Sequence, residues 1–282
     1  GFEPERLHEA TLAGAAMLFA TGIDPQRSIV FAQSHVTAHA EANWLLSAAT
    51  SFGELRRMTQ FKDKSADQEF VSAGLFTYPV LMAGDILLYQ TDIVPIGDDQ
   101  RQHLELTRDV AERFNARYGE TFRVPKGVYP EEGARIKNLQ EPERLMSTSA
   151  GNAQGVVRIV DEPDVIRKKF KTAVTDSERE IRHDPAAKAG ISNLIEILSV
   201  ATGAPPAEIE RRYDGSGYGQ FKEDVGEAVV ALFAPIQERY RDLRADEQAL
   251  RGLLAEGAER AREASRPTLD AMYERMGFVR LS

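Results

Sequence analysis

Apolar positions recur at three- and four-residue steps through much of the chain, and the densest such stretch runs from Tyr78 to Asp109. Pro79 suits the first turn of a helix, and Leu81, Met82, Asp85, Ile86 and Tyr89 then fall on one predicted inner face. Asp92–Ile96 reads as a short strand and Gly97-Asp98-Asp99 as a turn. A second helix follows with Leu104, Thr107, Val110, Ala111, Phe114 and Tyr118 inward and Gly119 as its stop. Upstream, Pro4–Thr21 predicts a helix with Leu7, Leu12, Ala15, Leu18 and Phe19 inward and Gly22 as C-cap. Ser28–Gln33 is a continuous apolar run, the pattern of a strand buried on both faces. Helices are predicted at about His39–Ala49, around Trp44, and at Gly53–Phe61, with Lys62–Asp67 as a loop without periodicity. Between Tyr118 and Gln140, Pro125, Gly127, Pro130 and Gly133 break the pattern into short strands and loops. Leu145–Asn152 is a polar, small-residue loop.

From Asp164 onward the patterns are helical: about Asp164–Ala173, Ile191–Thr202, Pro206–Tyr213, Gly219–Arg241 and Glu247–Met276. Alternating α/β structure followed by all-α structure predicts two domains, with the boundary near residues 155 to 165. The helix–strand–helix unit puts Gln100 at the mouth where open α/β sheets bind ligands.

Asp85 is the residue that most changes this picture. A carboxylate on an inward stripe is expensive without a donor. An ordinary structural partner, a backbone amide or an arginine, answers that need as well as a ligand does. The functional reading is that Asp85 accepts the N–H of a ligand ring in an apolar pocket. Such a site rejects analogues lacking the donor by about 10⁴–10⁵, because the site group is left stranded. Met82, one turn earlier, offers adaptable apolar contact or plain core filling. Asp98 and Asp99 are helix-capping residues by the commoner reading. The Gln100 amide can address a zwitterion, and Tyr78 is placed to reach the same group. Lys62 and Lys64 are solvated charges, unless a nucleotide site lets them neutralise phosphate in a transition state. His35 and His39 have a spacing compatible with a metal, but no third ligand is placed by sequence. His103, one turn into its helix, reads as structural.

The 282 residues, 42% hydrophobic and 28% charged, fit a globular protein of one large or two ordinary domains. The absence of cysteine excludes disulfides and thiolate metal sites. No apolar run approaches membrane-spanning length and the first residues do not read as a signal peptide, so a cytoplasmic location is expected. A net charge of −9 argues against a non-specific nucleic-acid coat and leaves room for a local basic patch that grips one shaped RNA.

Long, ordered strings carry more than any of these features: GELRRMTQFKDKSA, GLFTYPVLMAGDILLYQTDIVPIGDDQRQHLELTRD, GARI, AVTDSE and GISNL. Together, from about residue 4 to the end, they resemble the bacterial tryptophanyl-tRNA synthetases, a class I aminoacyl-tRNA synthetase family. The resemblance implies an α/β fold, a Rossmann-type parallel sheet (incomplete in this chain), followed by an all-α C-terminal domain. The division it suggests is a catalytic domain over 1–160 and a helical, anticodon-reading domain over 161–282, the last helix packing back on the catalytic part.

It further implies that Asp85 accepts the indole N–H, that Met82, Val94 and Ile96 line the indole pocket, and that Tyr78 and Gln100 hold the α-amino group. Gly97 and Asp99 are implied beside the adenylate, Ile136 and Met146 near adenine, and Lys64 near the triphosphate. Ser147 and Ser149 belong to the signature loop of the reaction. The implied activity joins L-tryptophan to tRNA(Trp) through a tryptophanyl-adenylate, with ATP and Mg²⁺ as substrate, no permanent cofactor, no membrane and a homodimer.

Two departures stand out. The family's KMSKS loop aligns with Leu145-Met146-Ser147-Thr148-Ser149, so both lysines are absent, and Arg144 is the residue able to substitute after a one-residue shift. By analogy with the loss of one preorganised donor, each missing cation costs about 2.7–4 kcal/mol, or 10²–10³ in rate. The HIGH-type motif and the strands that flank it in the family are not in the chain, which is therefore expected to be a fragment. These departures keep two alternatives open: a degenerate paralogue that binds tryptophan or its adenylate as a sensor or partner subunit, and an enzyme that activates tryptophan for an acceptor other than tRNA.

Overall fold

The computed structural model describes residues 3–66, 69–97, 100–129, 136–147 and 152–279. In chain order the helices and strands are α1 (Pro4–Ala20), α2 (Ala38–Ser47), α3 (Phe52–Arg57), α4 (Thr59–Ser65), α5 (Ala73–Leu87), β1 (Ile93–Pro95), α6 (Arg101–Tyr118) and β2 (Lys126–Val128). After these come α7 (Pro163–Lys171), α8 (Ala189–Thr202), α9 (Pro206–Arg212), α10 (Tyr218–Ala245) and α11 (Glu247–Arg275). The chain divides into two compact units. One comprises Gly1–Ala15, Ile23–Pro130 and Glu247–Ser282; the other comprises Ala16–Gly22 and Glu131–Asp246. No described helix is long and apolar enough to cross a membrane.

In the first unit, α5 packs between α2 and α6, and α11 packs on α2. Leu45, Leu46, Val80, Leu87, Val110, Phe114 and Met272 form its core. β1 and β2 pair in parallel, with Val94 opposite Gly127. Gly127 leaves room there for Leu104, whose side chain a Cβ would approach to 2.8 Å. In the second unit, α7 and α8 pack on α10, around Ile166, Phe170, Ile191, Leu194, Phe221 and Val225.

Several expectations need correction. Helix α5 begins at a Ser72 cap, whose side chain accepts the Leu75 N–H at 3.2 Å, so Pro79 lies in its interior rather than its first turn. The cost is one helical donor, the N–H that would have met the Leu75 carbonyl. The face that α5 buries is Val80, Ala83, Gly84 and Leu87, not Leu81, Met82, Asp85, Ile86 and Tyr89, which are half-buried. A helix apolar nearly all round gives periodicity little to choose between. Close packing decides instead: Gly84 sits where a Cβ would meet Ala42 at 3.3 Å.

Ser28–Gln33 forms no strand, and no described strand pairs with it. It runs along α11, where Arg260 donates to the Pro25 and Ser28 carbonyls and the Val30 carbonyl sits against Gly257. Only a neighbouring ladder turns an apolar run into a strand. Lys62–Ser65 is part of α4 rather than a loop. That helix buries none of its residues fully, so it leaves no periodic signal. The predicted Gly53–Phe61 helix is two, broken at Met58 by an extended ψ of 126°. Leu7 and Leu18 on α1 are exposed, while Leu12, Ala15 and Phe19 are buried as predicted.

Candidate active site

The half-buried face of α5 carries Tyr78, Met82 and Asp85, and Tyr89 follows four residues later in the turn just past its end, the steps being four, three and four residues. Asp85 is not paired with an arginine. His39, from α2, brings Nδ1 to 2.5 Å from Asp85 Oδ1. Gln33 Nε2 donates to both carboxylate oxygens, at 2.8 and 2.7 Å. On the other side of the imidazole, Nε2 lies 2.9 Å from the Tyr89 hydroxyl.

A carboxylate only accepts, so Nδ1 carries the proton, and in the neutral ring Nε2 accepts from the phenol. Tyr89 suits that role: burial, then the Asp85 charge, push its pKa up to about 12 against a smaller pull from the Ser265 hydroxyl. Phe31 packs on both rings, its centroid 5.6 Å from His39 and 6.2 Å from Tyr89. A carboxylate offers about four lone-pair sites. Three contacts leave an acceptor position on a side chain that is still 34% exposed.

A second network starts at Tyr78. Its hydroxyl donates to Gln60 Oε1 at 3.1 Å and lies 2.7 Å from His103 Nε2. The phenol has one proton, so with that proton on Gln60 the His103 Nε2–H is the donor to the phenol oxygen. Burial raises the Tyr78 pKa. Lys64 Nζ donates to the same Gln60 oxygen at 3.1 Å. The structure therefore brings Lys64 and Tyr78, predicted separately, onto one amide.

At the end of β1, Val94 is half-buried and Ile96 is buried, its N–H donating to the Val128 carbonyl at 3.0 Å. The Gly97 carbonyl accepts the Gln100 N–H at 3.0 Å, and Gln100 opens α6 as its N-cap. Asp98, Asp99 and Ser149 lie outside the described residues.

In the second unit, the Ile136 carbonyl accepts the Met146 N–H at 3.0 Å, and Met146 Sδ accepts the Val157 N–H at 3.5 Å. These three side chains, with Phe170, Ile197 and Phe233, line an apolar cavity of about 150 Å³. Asn193 of the GISNL string fixes this strip by two bonds to the Lys137 backbone, at 2.7 and 3.0 Å. Ser147 is half-buried. Arg144 is exposed and pairs with Glu141 at 3.2 Å.

Sequence reasoning did not assign Gln33, Gln60 or Tyr89 to the site. Tyr89 had a usable signal, standing four residues after Asp85 on one face; the two glutamines had none. The spacing of His39 from His35 is compatible with a metal, but both ring nitrogens of His39 are engaged by Asp85 and Tyr89.

Residues 2–234 match the family model of class I tRNA synthetases (W and Y). The chain is 53% identical over 279 residues to the tryptophan–tRNA ligase of Leifsonia xyli, covering 98% of this chain and 83% of that protein. Among solved structures it is similar to the tryptophanyl-tRNA synthetase of Mycoplasma pneumoniae (TM-score 0.89, 35% identity, 99% of this chain and 85% of that one). It is also similar to the Campylobacter jejuni synthetase complexed with ADP and tryptophan (TM-score 0.83, 35% identity, 99% and 86%). On identity that runs nearly end to end, the chain belongs to the tryptophanyl-tRNA synthetase family of class I.

Proposed function

We infer that the chain is a tryptophan–tRNA ligase, activating L-tryptophan with ATP and passing it to tRNA(Trp). In the first step a tryptophan carboxylate oxygen attacks the α-phosphorus of ATP and pyrophosphate leaves. In the second, the terminal ribose hydroxyl of the tRNA attacks the adenylate carbonyl and AMP leaves. Chemistry of this kind is carried by positioning and electrostatics more than by covalent help from the protein.

The observation that carries the amino-acid assignment is the state of Asp85: two side chains hold it through three contacts and an acceptor position is left open on a half-buried face. In this reading the open position takes the indole N–H, Met82, Val94 and Ile96 supply apolar contact, and Tyr78 and Gln100 take the α-amino group. Gly97 and Asp99 attend the adenylate, and Lys64 the triphosphate. Ile136 and Met146 attend adenine, which the apolar strip they share supports; Ser147 and Ser149 belong to the loop that closes on the nucleotide.

Among the described residues no group of three or more histidines, aspartates and glutamates can hold a metal ion. Magnesium is assigned to the ATP phosphates as part of the substrate, the usual arrangement for this cation. Residues 1–160 are assigned the catalytic role and 161–282 the reading of the tRNA anticodon, with the last helix returning to the catalytic part. The setting is the cytoplasm and the working form a homodimer, for which the exposed Trp44 and Phe52 offer apolar surface.

Tryptophan-dependent exchange of pyrophosphate into ATP, followed by charging of tRNA(Trp), tests the reading. Both activities are expected. Binding of tryptophan without exchange would instead support the sensor, and exchange without charging would support another acceptor.

A further inference from the structure

We propose that His39 is a positioning residue for amino-acid selection, its buried imidazole aiming the Asp85 carboxylate at the ring N–H of the substrate. The proposal rests on the reading of Asp85 as the indole acceptor and adds the group that makes that acceptor selective. Two partners hold the carboxylate, and they differ in kind. Gln33 reaches it with an exposed side chain that spans both oxygens. His39 is 3% exposed, lies 2.5 Å from one oxygen, and is itself anchored at its far nitrogen by Tyr89. Phe31 and Tyr89 flank the imidazole with centroids at 5.6 and 5.7 Å, so the ring has little freedom to swing.

A rigid donor on Oδ1 fixes the plane of the carboxylate, and with it the direction of the lone pair left open. A site is selective when its reacting groups are held by neighbours whose own rotamers are locked. Without His39, Asp85 keeps the Gln33 contacts, but the open lone pair is no longer aimed. The ordinary alternative is a core histidine satisfied by its neighbours, and it makes a different prediction. Loss of core packing weakens every ligand of the pocket alike; loss of aim weakens only a ligand that uses its N–H.

The test compares tryptophan with its benzothiophene analogue, in which sulfur replaces the N–H, by the ratio of their dissociation constants on the whole chain. His39→Leu is expected to lower the preference for tryptophan about tenfold to a hundredfold, the range of one hydrogen bond to a charged group. The analogue's affinity should hardly move. His39→Asn, whose amide can stand near Nδ1 and donate to Asp85, should recover most of the preference. Equal weakening of both ligands in His39→Leu, or no recovery in His39→Asn, overturns the proposal.

Where His39→Leu does not fold, Tyr89→Phe removes the anchor and keeps the ring, and an unchanged preference there is an equal refutation. Asp85→Asn separates the two levels. If that variant keeps the wild-type preference, or the wild type shows none that depends on the N–H, the Asp85 reading itself fails. If Asp85→Asn loses the preference and the His39 variants keep it, only the role of His39 fails.

Discussion

Gly257→Ala should destabilise the protein and weaken tryptophan binding, although alanine is the better helix former. Gly257 lies inside α11, where the exchange alone is worth about 1 kcal/mol of stability. A Cβ there would stand 1.9 Å from the Val30 carbonyl oxygen and 2.8 Å from its carbon. The first contact is about 1.5 Å short of the 3.4 Å at which ordinary contact begins. Neither partner is the end of a flexible side chain, so backbone has to move. Overpacking of this kind costs about 1–3 kcal/mol, and a backbone collision belongs at the upper end. Net of the helix gain, a loss of about 2 kcal/mol is expected.

The shift also has a functional address. Val30 adjoins Phe31, which packs on His39, and stands three residues before Gln33, which holds Asp85. Thermal unfolding and tryptophan titration therefore read the same displacement. A lowering of Tm by about 4–8 °C is expected, from roughly 2–4 °C per kcal/mol at this chain length, together with weaker tryptophan binding. Gly252→Ala on the same helix is the control. Nothing lies within 4 Å of its added Cβ, so it should raise Tm and leave binding alone. If Gly257→Ala proves as stable as Gly252→Ala, the close approach of Val30 to α11 is wrong. If it unfolds early yet binds tryptophan normally, the link from Val30 to the site is wrong.

Two further outcomes are expected. Burial pushes the Glu54 pKa up, but the Arg113 hydrogen bond, the Ser51 N–H and the charges of Arg113 and Arg57 outweigh it, leaving the carboxyl below its ordinary 4.5. A depressed folded pKa stabilises the fold above that ordinary value and ceases to as pH falls through the folded one. Thermal stability should therefore drop in acid below about pH 4.5, and Glu54→Gln should flatten that limb; an unaltered acid limb would count against the pair. For the homodimer, sedimentation should return twice the chain mass, with Trp44→Glu shifting it toward one; a wild-type monomer would remove the dimer from the reading.

What the sequence made legible follows from which interactions are local. Helix α6 was readable from its inner face to its stop, because the apolar period and the glycine at φ +101° are written within its own residues. The short strand at Ile93–Pro95 was legible from its β-branched run and the turn residues after it. The helices of the second unit were legible for the same reason, with Pro opening α7 and α9 and Gly203 closing α8. Illegible features depend on a partner far along the chain. Whether Ser28–Gln33 pairs as a strand depends on a neighbour, and the neighbour it has is α11, more than 200 residues later. Which face α5 buries depends on α2 meeting it at Gly84, a contact that no spacing within α5 encodes.

Asp85 sits between these cases. The need for a donor was legible, since a carboxylate among apolar positions demands one. The donors were not, because Gln33 and His39 come from a segment 52 and 46 residues away. The same distance explains why the His39 spacing from His35 suggested a metal. Two histidines four residues apart are a local pattern, whereas the carboxylate and phenol that engage His39 are brought by α5 and the turn that follows it. A polar residue on an apolar face thus announces in sequence that something must meet it. Only the tertiary contact decides whether that partner is the protein alone or leaves, as at Asp85, an acceptor for a ligand.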